Sequence, residues 1–158
     1  MTVEEAMRKM SDVQRRRLHC ALNLHRFAGT VIALNGGRTG ADSPLPEDER
    51  LRRLAVAGTL AAAYLANLRW LGGLLAEKLG RAHVSEEETV ADWREMHTWM
   101  VREGLQPPIC RCDGEGHEVE MPFGDVHQGV LAARSTYAAF LGQLSADGSA
   151  RRTEGGAK

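Results

Sequence analysis

The alternation of apolar and polar positions is helical along nearly the whole chain. Between Thr2 and Leu34, Val3, Ala6, Met10, Val13, Cys20, Ala21, Leu24, Phe27, Ala28 and Val31 fall within about 60° of one line at roughly 100° per residue. This predicts one long amphipathic helix. Arg17 is the only charged residue inside its stripe. His19 lies on the opposite side, and His25 sits at the edge. Asn35-Gly36-Gly37 supplies a stop, because glycine tolerates the left-handed conformation that ends helices. Arg38 to Pro46 reads as a loop.

A second helix starts at Pro46 and Glu47-Asp48-Glu49, where acidic residues complement the backbone dipole. Leu51, Leu54, Gly58, Ala61, Leu65, Leu68, Gly72, Leu75 and Leu79 then alternate spacings of three and four in a heptad-like seam. Between Leu54 and Leu75 the other faces are also largely apolar. A helix of that kind is central in a bundle or covered by a partner chain. Asn67 within it would need a hydrogen-bond partner if buried, and a buried Asn can fix helix register. Gly80 ends this helix.

Ser85 and Glu88 form a capping-box pattern for a third helix with Val90, Trp93, Met96 or His97, and Met100 on its apolar side. Gly104 and Pro107-Pro108 stop it. Ile109 to Met121 alternates around Asp113-Gly114-Glu115-Gly116, which predicts a short β-hairpin. Asp125 then opens a fourth helix with Val126, Val130, Ala133, Tyr137, Phe140 and Leu144 on one side. The expected fold is all-α: a four-helix bundle-like single domain over residues 1–146, with the hairpin or Cys/His loop between helices 3 and 4. Residues 147–158 are small and polar, and a disordered tail is expected there.

Composition narrows the function classes. A net charge of −1 gives no overall attraction to nucleic acid or anionic membrane. The Arg15-Arg16-Arg17 run spreads around a helix and makes no single basic patch, so nucleic acid is not an expected partner. The weakly polar run Leu54–Leu68 is shorter than the roughly 20 residues that span a bilayer, so no membrane partner is expected. The acidic N-terminus lacks an apolar signal core. A cytoplasmic location follows as the expectation, with Cys20, Cys110 and Cys112 reduced or metal-bound. Scarce Lys and abundant Arg, Ala and Gly suggest a GC-rich bacterial or phage genome.

The main candidate for chemistry is Cys110-x-Cys112 with His117. Two thiolates and an imidazole near a turn are zinc ligands, and zinc seeks four N or S donors. The fourth would be His127, Cys20 or His25. Cys20 also reads as a buried thiol in the core stripe. Arg17 can snorkel, the favoured reading, pair with Asp92 or Glu95, or face a partner. Asn35 to Gly40 is Gly-rich but follows a helix and lacks the P-loop ending. Three functions compete. The first is a non-enzymatic interaction or assembly subunit, forming a homo-oligomer or docking a partner helix. Its partner-binding residues would be Arg17, Gly58, Ala61, Leu65, Leu68 and Gly72. The second is a zinc-binding regulator or sensor using Cys110, Cys112 and His117. The third is a small helical metal-dependent enzyme, with an acid/base site at Asp92, Glu95, His97 and Arg17.

Overall fold

A computed structural model describes residues 1–35 and 45–156, with side chains described to Gly148. The chain is mostly helical. Its elements are α1 (Val3–Arg8), α2 (Asp12–Asn35), α3 (Glu47–Leu79), α4 (Glu86–Arg102), β1 (Cys110–Cys112), β2 (Glu118–Glu120) and α5 (Phe123–Gly156). The loop expected over Arg38–Pro46 lies largely outside the described residues, as does Gly36-Gly37.

The single helix expected over Thr2–Leu34 is divided in two. The apolar period runs on across Lys9–Ser11, but local hydrogen bonding interrupts the backbone. The Ser11 N–H donates to Gln14 Oε1 at 2.8 Å and the Gln14 N–H donates to Ser11 Oγ at 3.3 Å. This reciprocal pair is a helix start. The Arg15 guanidinium donates to the Met10 carbonyl from Nε and Nη2 at 3.1 and 2.9 Å, which satisfies an orphan acceptor at the end of α1.

The other ends follow their local signals. Ser85 and Glu88 form the expected capping box. Gly80 and Gly104 take φ of 66° and 71°. In both places the following N–H reaches back five residues, Arg81 to the Ala76 carbonyl and Leu105 to the Met100 carbonyl. That is the Schellman arrangement, and buried Leu105 and Met100 add its usual apolar contact.

α3 is the common wall, packed against α2, α4 and α5. Part of its seam is filled from within the chain. A Cβ on Gly58 would lie 2.2 Å from the Tyr137 ring, and one on Gly72 would lie 2.8 Å from Thr89 Oγ1. Glycine is therefore what lets α5 and α4 come this close. Ala61 is fully buried and Leu68 nearly so. Asn67 is half-buried and donates to its own helix at the Ala63 carbonyl, 3.0 Å away, so it does not act as an inter-helix register pin.

β1 and β2 pair antiparallel, Cys110 with Glu120 and Cys112 with Glu118. Gly116, at φ 84°, supplies the left-handed residue of the turn. α5 begins at Phe123, two positions before the expected Asp125. It continues as helix to Gly156.

Candidate functional site

Three places bring chemistry-bearing side chains together: the hairpin, a polar core between α2, α3, α4 and α5, and a groove on another side of α3.

The hairpin does not assemble the expected zinc set. Among the described residues no group of three or more His, Cys, Asp or Glu converges as a metal site. The register explains why. Cys110 and Cys112 share one face of the ribbon with Glu120 and Glu118, since directly paired residues point the same way. His117 belongs to the turn, where its Nδ1 lies 3.6 Å from Asp113 and 3.7 Å from Glu115. Asp113 accepts the Glu115 and His117 N–H groups at 2.8 and 2.9 Å, and these bonds hold its carboxyl below the usual range. The proposed fourth ligands are committed elsewhere. His127 is buried beside Tyr64, and Cys20 is buried with Sγ donating to the Asn67 carbonyl at 3.0 Å. Burial pushes the Cys20 thiol up to about 12, so it is protonated near pH 7.

The polar core contains what periodicity could not show. Trp93 Nε1 donates to Tyr64 Oη at 2.9 Å, and Tyr64 Oη shares a hydrogen bond with His127 Nδ1 at 2.7 Å. Tyr64 and Trp93 are wholly buried. Burial raises the Tyr64 hydroxyl well above its usual range, so it stays a donor. Phe123 stacks on His127 at 5° between planes, and Trp93 meets Phe123 edge-on. One turn further along α4, His97 stacks on His25, with centroids 5.4 Å apart. His25 Nε2 donates to the Pro107 carbonyl at 2.9 Å, anchoring the segment before the hairpin. Burial lowers all three imidazoles, His97 to about 4, so they are neutral near pH 7.

Arg17 does not snorkel. It is 8% exposed and pairs with equally buried Asp92 through Nη2 at 2.5 Å. An isolated buried guanidinium would be far costlier than the side-chain bending needed to form the pair. The acid/base constellation expected at Asp92, Glu95, His97 and Arg17 is only half assembled. Asp92 and Arg17 meet, His97 turns to His25 and Trp93, and Glu95 is exposed.

The groove has a volume of about 780 Å³ and lies between α3, the α3–α4 connection and α5. Leu65, Leu68, Gly72, Gly73 and Ala76 form its α3 side, with Val84 and Leu131 across from them. Three of the expected partner-binding residues, Leu65, Leu68 and Gly72, therefore line an open surface, whereas Gly58, Ala61 and Arg17 are internal contacts. No family model matches the chain, and neither does any curated protein or solved structure.

Proposed function

We propose that this chain is a non-enzymatic assembly subunit, a four-helix bundle-like unit that pairs with a second copy of itself through the outward side of α3. The observation that supports this is the mismatch between the composition of α3 and its cover. Its most apolar 18-residue stretch has a mean hydropathy of 1.3, yet only 33% of it is buried. Val56 and Trp70 are 44% and 43% exposed. With Thr59, Ala62, Ala66 and Gly73, also exposed, they form a stripe at helical spacing opposite the filled seam.

The stripe is self-complementary. Two antiparallel copies related by a two-fold axis near Ala63 would set Val56 of one against Trp70 of the other, with Thr59 close to Ala66 of the partner helix. A large side chain then meets a smaller one at each end, and small residues meet in the middle. This is the residue-i-to-j reciprocity of an isologous interface. The partner face thus moves from the seam expected at Gly58 and Ala61 to the other side of the same helix.

Sedimentation velocity across micromolar concentrations tests the reading. A dimer is expected, with Ala66→Arg monomeric and still helical by circular dichroism. A monomer in the unmodified protein overturns it. So does flotation with lipid vesicles in place of dimerisation, since α3 is also long and apolar enough to cross a membrane.

A further inference from the structure

The groove has a charge distribution that the helix-pairing reading leaves unused. Arg69 on α3 and Arg134 on α5 both line it, and neither has an ion-pair partner among the described residues. The other charged lining groups are mostly neutralised. Arg81 is bidentate to Glu88, at 2.5 and 3.2 Å, and Glu77 is held by Arg16 at 2.9 and 3.3 Å. Glu86 is the one carboxylate left against the two free arginines, so the lining keeps an excess of positive charge.

The placement of the two arginines is directional. α3 and α5 run antiparallel, because Tyr64 meets His127 and Gly58 meets Tyr137. Side chains on a helix lean towards its own N-terminus. On antiparallel neighbours, Arg69 and Arg134 therefore lean towards one another, along a wall that also holds Leu65. Beyond Leu65 the α3 side of the groove is apolar, through Leu68, Gly72, Gly73 and Ala76, and it faces Val84 beside the paired Arg81 and the polar His83, Glu86 and Thr89. A volume of about 780 Å³ lies within the range of small-molecule sites, roughly 300–1,000 Å³.

We infer that this groove binds an amphipathic monoanion, a medium-length alkyl chain ending in a carboxylate. The carboxylate sits between the Arg69 and Arg134 guanidiniums, and the alkyl chain runs over Leu68 towards Ala76. Planar guanidiniums match a carboxylate in geometry as well as charge. Arg134 belongs to α5 and has no place in the α3 stripe, so failure here and failure of self-pairing are separable.

The experiment is isothermal titration of the full chain with decanoate below its micelle concentration, with 1-decanol as the neutral control. Saturable one-to-one binding of decanoate is expected, with decanol weaker by about tenfold or more. Arg134→Gln and Arg69→Gln should each weaken decanoate by a similar factor and leave decanol unchanged. Both side chains are exposed, so these variants should keep the parent's melting temperature. Absence of decanoate binding, equal affinity for decanol, or full affinity in the double variant each overturns the inference.

Discussion

Tyr64→Phe is the sharpest test of the polar core, because it changes one atom of a fully buried side chain. The ring keeps its packing, so no cavity larger than an oxygen is left. What is lost is the shared hydroxyl of two hydrogen bonds, 2.9 Å from Trp93 Nε1 and 2.7 Å from His127 Nδ1. The indole N–H has no exposure to water, so it loses its only partner outright. A buried polar group left unmatched costs roughly 1–3 kcal/mol, whereas His127, at 8% exposure, can recover part of its loss by turning to solvent. The sum is about 3 kcal/mol, which lowers the melting temperature of a domain of this size by roughly 6–12 °C. Urea denaturation followed by tryptophan fluorescence and by circular dichroism measures it, and the two probes should coincide if unfolding is two-state. A change within about 0.5 kcal/mol would refute the reasoning, since that is the range of surface substitutions away from special features.

Two further outcomes follow from the same interior. Three histidines are held neutral in the folded chain and titrate freely when it unfolds, so below the ordinary value of 6.5 the unfolded state binds more protons and stability falls as pH falls. His97, lowered to about 4, contributes roughly 3 kcal/mol of that loss between about pH 6.5 and 4, and His97→Phe should flatten the stability profile there when melts are compared at pH 7.5, 6 and 4.5. Gly58→Ala should destabilise by about 1–2 kcal/mol, because its Cβ would enter the Tyr137 ring, whereas Gly142→Ala on α5 meets nothing within 4 Å and should stabilise by up to about 1 kcal/mol; denaturant midpoints giving the same sign for both would refute the close α3–α5 contact.

The helix faces were legible because burial and the 3.6-residue period are linked. Leu24, Ala28, Val31, Trp93, Met100, Val126, Val130 and Ala133 are buried where their stripes placed them. Caps at Ser85, Gly80 and Gly104 were legible for a similar reason, since each is a short-range consequence of one residue type. The break between α1 and α2 was hidden because Ser11 and Gln14 act through four atoms while the apolar period carries on across them. Arg17 stands out as an anomaly in its stripe, and Asp92, 75 positions away, is one of the two carboxylates the sequence offers it, but nothing local ranks that pairing above snorkelling. The Tyr64–Trp93–His127 relay left less trace: Tyr64 and His127 carry no periodic signal that marks them as a pair, and only the antiparallel approach of α3 and α5 makes them neighbours.

The same limit decided where α3 exposes its surplus. A sequence that is apolar on all faces states how much surface must be covered, and leaves open which part the chain covers for itself. The choice rests on the fit of individual side chains. Tyr137 needs a position without a Cβ and finds it at Gly58, and Thr89 finds the same at Gly72. Those two contacts keep the glycine positions inward, while Val56, Ala62, Ala66 and Trp70 face solvent. Alanine at 58 or 72 would hold α5 or α4 further out. Under the proposed self-pairing, Gly58→Ala should therefore weaken association as well as folding.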